Sequence, residues 1–267
     1  MTFINSAAND NIKRWRKISE HPRGAKKIGT TLAEGIHLAE VICQKRPLTR
    51  AVVVRENNVQ SDVLALAERV AEATGAKLLT VTDKLYDAVC PVENGTGIMV
   101  EVAATFAERP VQPIAEDALY LDGVQDAGNM GTLIRTALAA GVRHIAASSG
   151  SAGFWAPKAL LAGMCAHFSP NLYVYVSAEE LHTLLAGRVL AADARGGMDL
   201  FRTPGWEKGP VVWMMGAEGP GLSLKALADA DERYLIPIEE ACESLNVGAA
   251  AAVCLFEQRR RRLLAGA

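Results

Sequence analysis

Apolar positions in the first hundred residues recur at helical spacing over about 9–20 and about 32–44, and β-branched residues then crowd into Arg50-Ala-Val-Val-Val-Arg55. A helix over 61–74, closed by Thr74-Gly75, and strands over 77–81 and 97–102 complete the region. Strands interleaved with helices predict a small parallel or mixed sheet. Residues 105–117 carry Pro110 and Pro113, several charges and no period, which predicts a linker. From Ala118 the alternation becomes regular. Strands are expected at 118–122, 143–147, 172–176, 188–192, 211–215 and 233–238, and helices at 130–140, 157–165, 178–186, 222–229 and about 246–263. This succession predicts an α/β fold whose parallel sheet is covered by helices on both faces, with ligand loops at the carboxyl ends of the strands. The chain is accordingly expected to divide into 1–104, a linker 105–117 and 118–267.

Three of those strand ends share one character. Leu121-Asp-Gly-Val-Gln-Asp-Ala-Gly-Asn-Met-Gly-Thr-Leu-Ile-Arg135, Val211 to Ser223 and Leu235 to Cys254 each run from an apolar strand through a polar turn into a helix. Such loops can converge on one ligand. Their side chains include Asn129, Arg135, Glu218, Ser244 and Asn246, beside backbone that glycine leaves open. Taken singly, each has a structural explanation: Asp126 or Asn129 as cap of the helix at 130–140, Ser244 as cap of the last helix, Arg135 on the surface, and Glu218 as a first-turn acid.

Charge narrows the partners. Residues 1–50 hold ten Lys or Arg (13, 14, 16, 17, 23, 26, 27, 45, 46 and 50) against four acids, a balance of +6 in a chain of net charge −2. A basic lobe on an acidic body suits a polyanion at one end. The run Arg259–Arg262 reads either as a solvated tail or as an anion contact. Cysteines 43, 90, 165, 242 and 254 are odd in number and never spaced Cys-x-x-Cys, so neither a disulfide framework nor a zinc site is encoded, and buried thiols are expected. No signal-like amino terminus and no bilayer-length apolar run appear, which predicts a cytoplasmic protein away from membranes.

Several chemistries lose support. No Gly-x-x-x-x-Gly-Lys-Ser/Thr or Gly-x-Gly-x-x-Gly is present, and Gly216-Ala-Glu-Gly219 carries a carboxylate where a phosphate cradle wants bare amides. A Gly-x-Ser-x-Gly elbow is also missing, and the five histidines lie outside the three loops, so Ser-His hydrolysis and His-based metal sites are not expected. The inventory fits a polar cofactor not gripped by its phosphates.

The three segments resemble the ordered motifs of the SpoU (TrmH-type) RNA ribose methyltransferases of the SPOUT superfamily. The likeness rests on Asp122-Gly-Val-Gln-Asp126 with Gly128-Asn-Met-Gly131 and Ile134-Arg-Thr-Ala137. It continues in Met215-Gly-Ala-Glu-Gly219 with Gly221-Leu-Ser223, and in Ile236-Pro with Glu243-Ser-Leu-Asn-Val247. More weakly, Ile12-Lys13, Ala33-Glu34-Gly35 and Gly95 to Val100 resemble the family's small RNA substrate-binding domain. The resemblance implies a trefoil knot in the carboxyl-terminal domain, an exception to the rule against threading. It implies a homodimer whose site borrows from both copies, with S-adenosyl-L-methionine contacted by Gly216, Ile236 and Leu245. The activity implied is methyl transfer to a ribose 2′-hydroxyl of rRNA or tRNA, through Asn129, Arg135, Glu218, Ser244 and Asn246. Family proposals make Arg135 the base; a charged guanidinium gripping phosphate and stabilising a developing alkoxide is the cheaper role. Relatives often carry an arginine near Leu161, and none stands between Ala156 and Phe168 here. The rival reading is a catalytically inactive RNA-binding protein of the same fold, which would tolerate loss of Asn129, Arg135 or Asn246.

Overall fold

The computed structural model describes residues 2–21, 24–57 and 60–266, so that Arg23 lies outside the described residues. The chain forms two compact units, Met1–Thr105 with Gly153–Phe168, and Phe106–Ala152 with Ser169–Ala267.

The first unit holds strands β1 (Thr2–Ile4), β2 (Thr30–Glu34), β3 (Thr49–Arg55), β4 (Lys77–Val81) and β5 (Ile98–Ala103) in the order β1-β4-β3-β5-β2. The sheet is mixed, as the alternation predicts: β1, β4 and β3 run parallel, while β5 is antiparallel to β3 and β2. Its helices are α1 (Asp10–Glu20), α2 (Ala25–Ile28), α3 (Ile36–Lys45), α4 (Ser61–Thr74) and α5 (Asp83–Val89). The sequence pattern places a helix over 32–44, whereas the structure begins that helix at Ile36 and makes Thr30–Glu34 a buried strand. Two β-branched threonines favour extended backbone, and Gly35 at φ +116° separates the elements, so pairing with β5 overrides the helical spacing. The short elements β1, α2 and α5 carry too few residues to establish a period.

Ile12, Trp15 and Ile18 on α1 pack against Leu32, Val53, Val81, Tyr86 and Met99. Beside them the fully buried Glu101 accepts hydrogen bonds from Arg14 Nε at 2.7 Å, Trp15 Nε1 at 2.7 Å and Thr30 Oγ1 at 2.8 Å. Burial pushes this carboxyl up, but the donors from Arg14, Trp15 and Thr30 outweigh it and hold it below its ordinary range. Arg14 is thereby withdrawn from the basic surface, while Lys13, Arg16 and Lys17 stay exposed. The segment Gly153–Phe168, with helix α7 (Pro157–Ala162), groups with this unit, where the Thr31 hydroxyl donates to the Trp155 carbonyl at 2.6 Å.

Among the described residues the second unit carries a seven-stranded sheet, in which every pairing is parallel. It comprises β6 (Ala118–Asp122), β7 (His144–Ala147), β8 (Asn171–Val174), β9 (Arg188–Ala192), β10 (Met198–Asp199), β11 (Val211–Gly216) and β12 (Glu232–Leu235), in the order β10-β12-β9-β11-β6-β7-β8. Its helices are α6 (Ala127–Ala140), α8 (Leu181–Leu184), α9 (Leu224–Ala228) and α10 (Val247–Leu264). The helix read over 178–186 is a 3-10 turn at Ala178–Glu180 followed by the short α8. Residues 106–117 belong to this unit: Ile114 N donates to Leu184 O at 3.0 Å, and Asp117 accepts from Val211 N at 2.9 Å.

The arginine run on α10 divides: Arg259 and Arg260 are exposed, whereas Arg261 and Arg262 are held against the protein. Arg261 donates to the Thr203, Leu200 and Phe201 carbonyls, with its guanidinium 4.9 Å from the Trp206 ring centroid. Arg262 donates to the Glu207 and Gly209 carbonyls and pairs with Asp117. Together they clasp the loop between β10 and β11. Cys165 and Cys254 are buried as expected, while Cys242 is exposed.

Candidate active site

The three loops meet. At the end of β6, Asp126 caps α6 by accepting from Asn129 N at 2.8 Å, which fixes the first turn and presents the Asn129 side chain. At the end of β11 the chain doubles back, with reciprocal backbone hydrogen bonds between Ala217 and Gly221 at 3.1 and 2.9 Å. A Cβ on Gly216 would lie 2.2 Å from Gly221 C, so only glycine fits there. The loop is tied to β6, because Ser223 N donates to Asp122 Oδ2 at 2.8 Å. After β12, Asn246 caps α10 through Gly248 N at 2.9 Å. This is the role that sequence reasoning allowed for Ser244.

Side chains join the loops. Asn246 Nδ2 donates to Asn129 Oδ1 at 3.1 Å, and Asn129 Nδ2 donates to Glu218 Oε1. Close helix contact makes this possible. A Cβ on Gly248 would lie 3.0 Å from Thr132 Cγ2 on α6, so the small residue lets α10 approach far enough for the two amides to meet.

Beside this network lies a cavity of about 560 Å3, walled by residues after β9, β11 and β12. The sequence-expected Gly216, Glu218, Ile236, Ser244, Leu245 and Asn246 all line it. Its size is in the range of small-molecule sites. Ile236 and Leu245 offer apolar contact, and Gly216, Gly219 and Gly221 bring backbone without a side chain to the wall. This donor set suits a polar, adenosine-sized group and fits S-adenosylmethionine without a phosphate cradle.

Arg135 stands apart. It is exposed on α6, has no side-chain partner among the described residues, and does not line the cavity. Six residues of helix turn it roughly 120° away from Asn129, so one copy of the chain does not bring these two together.

Sequence reasoning also missed two residues on the cavity wall, Asp193 and Arg195. Their signal was available: Asp193-Ala-Arg195-Gly-Gly follows β9 at the same sheet end as the three motif loops.

A wholly parallel sheet with strand-end loops around one cavity is that of a SPOUT-type α/β methyltransferase fold. The signature of the SpoU rRNA Methylase family matches residues 117–256, and the chain belongs to that family. It is 28% identical over 267 residues to the 23S rRNA guanosine 2′-O-methyltransferase RlmP of Bacillus subtilis, covering 97% of this chain and 100% of that one. Against the 23S rRNA guanosine 2′-O-methyltransferase RlmB of Ralstonia nicotianae it is 30% identical over 203 residues, 73% of this chain and 81% of the relative. The AdoMet-bound rRNA methyltransferase of Sinorhizobium meliloti superposes with a TM-score of 0.81 at 25% identity, covering 97% of this chain and 98% of that one.

Proposed function

We propose that the chain is an S-adenosylmethionine-dependent RNA methyltransferase acting on a ribose 2′-hydroxyl of ribosomal RNA. The observation that carries this reading is the Asn246–Asn129–Glu218 chain of hydrogen bonds beside the cavity, in a member of the SpoU family. Gly216, Ile236 and Leu245 would hold the cofactor, which supplies a methyl group activated by a positive sulfonium. The ribose oxygen bonds the methyl carbon as the carbon–sulfur bond breaks and the hydroxyl proton leaves to water; this in-line displacement demands alignment, which these residues provide. Asn246, held by the amino end of α10, orients Asn129; Asn129 in turn orients Glu218 at the cavity wall. Ser244 holds the turn before α10.

Arg135 supplies the remaining charge from a second copy of the chain. Its exposure, its lack of a partner among the described residues and its separation from Asn129 support a homodimer whose site is shared. Its guanidinium grips phosphate and stabilises a developing alkoxide while staying protonated. Residues 1–104 are the RNA-binding domain and 118–267 the methyltransferase domain, carrying the trefoil knot of the family. Lys13, Arg16 and Lys17 share the exposed face of α1, where phosphates would bind. Among the described residues no helix is long and apolar enough to cross a membrane. A ribosomal RNA substrate and bacterial relatives support a cytoplasmic location.

The test is incubation with methyl-tritiated S-adenosylmethionine and ribosomal RNA, followed by mapping of positions that resist alkaline cleavage. Label in alkali-resistant dinucleotides is expected, and Arg135→Ala should abolish it while leaving cofactor affinity unchanged. Cofactor binding without any label in RNA defeats the reading.

A further inference from the structure

Asp193 and Arg195 join the ends of three strands. Asp193 follows β9 and is 5% exposed; its backbone N–H donates to Tyr234 O at 2.9 Å on β12. One carboxylate oxygen accepts from Arg233 Nη2 at 2.5 Å, and the other from Arg195 N at 3.1 Å and Arg195 Nε at 2.9 Å. Held by that carboxylate, the Arg195 guanidinium reaches the loop after β11, where Nη2 donates to Leu222 O at 3.0 Å and Nη1 approaches Pro220 O at 3.5 Å. It therefore bridges the strand ends that wall the cavity, and it is itself part of the wall.

Geometry requires a planar fork here. The carbonyls of Pro220 and Leu222 meet Arg195 in a loop closed by the reciprocal backbone hydrogen bonds of Ala217 and Gly221, and Gly219 and Gly221 sit at φ +84° and +72°. Two glycines at positive φ make such a loop easy to displace when unsupported. Arginine presents several donors in one plane, so it can hold the carboxylate and the loop carbonyls together, whereas lysine offers a single point of attachment.

Resting on the reading of the cavity as the cofactor site, we infer that Arg195 is a positioning residue: anchored by Asp193, it fixes the Gly216–Leu222 loop in the form that binds S-adenosylmethionine. It touches neither reacting atom. Its loss therefore weakens cofactor binding and leaves the transfer step intact once the site is filled.

The experiment measures S-adenosylmethionine binding by calorimetry and steady-state kinetics for wild type, Arg195→Ala, Arg195→Lys and Asp193→Asn, with thermal melts of each. Wild-type binding comes first, because its absence overturns the cavity reading itself. Given that binding, Arg195→Ala is expected to raise Kd and KM for the cofactor on the order of tenfold or more. Values of kcat at saturating cofactor and of KM for RNA should stay within about twofold. Arg195→Lys should recover little, because charge without the fork leaves a carbonyl unheld, and Asp193→Asn should follow Arg195→Ala in direction. Unchanged cofactor affinity in a folded Arg195→Ala overturns the inference. So does an equal loss in kcat and both KM values, which marks general damage, or full recovery by lysine.

Discussion

Asn246 Nδ2 donates to Asn129 Oδ1 at 3.1 Å, joining the first turns of two helices 117 residues apart in sequence. The other end of the same side chain caps α10 through Gly248 N. One amide thus performs a structural and a functional task, and they can be separated. Asn246→Ser keeps an oxygen for the cap, so stability should stay near wild type, whereas Asn246→Ala should cost about 1 kcal/mol. Both lose the donor to Asn129, and both should lower methyl transfer on the order of a hundredfold. Denaturant midpoints beside single-turnover rates test this. If Asn246→Ser retains normal turnover, the amide bridge is not part of the site.

Gly216→Ala places a methyl group 2.2 Å from Gly221 C and Leu222 N, both backbone atoms. The loop must move, at a cost of about 1–3 kcal/mol for overpacking, which corresponds to roughly ten- to hundredfold in cofactor affinity if the loop rather than the sheet yields. Calorimetry on the folded variant reads the loss. Wild-type affinity in Gly216→Ala would mean that the loop after β11 does not form the cofactor contact.

His167 gives the first unit a pH dependence. It is buried against Trp155 with ring centroids 5.4 Å apart, and burial pushes its imidazole down from 6.5 to about 4. Above pH 6.5 both folded and unfolded chains carry it neutral. Below that, the unfolded chain takes up a proton that the folded chain refuses until near pH 4, so stability falls across this window by a total on the order of 3 kcal/mol. His167→Leu and His167→Gln should each show a shallower decline between pH 6.5 and 4, whatever constant offset their packing introduces. Slopes identical to wild type in urea titrations across that range would assign the acid sensitivity elsewhere.

The clasp at the end of α10 separates arginines that look alike in sequence. Arg262 holds Asp117 and the Glu207 and Gly209 carbonyls, so Arg262→Ala should destabilise by about 2 kcal/mol. Among the described residues Arg260 pairs with Glu257 alone, at an exposed i,i+3 spacing, and Arg260→Ala should leave the melting temperature unchanged. Equal melting temperatures for the two variants would remove the clasp as a stabilising feature.

Local sequence was sufficient for whatever depends on neighbours along the chain. Period-two and helical spacing placed most strands and helices of the second unit, and glycine-bearing turns marked Asn129, Glu218 and Asn246. Contacts between distant segments decided the rest. Thr30–Glu34 became a strand because β5 lies beside it, and Arg261 and Arg262 became a clasp because the loop after β10 offers carbonyls. Asp193 and Arg195 joined the cavity only because parallel pairing sets the end of β9 between those of β11 and β12. Arg135, one helix segment from Asn129 in sequence, faces away from it, because helical rotation rather than distance along the chain determines which side chains meet.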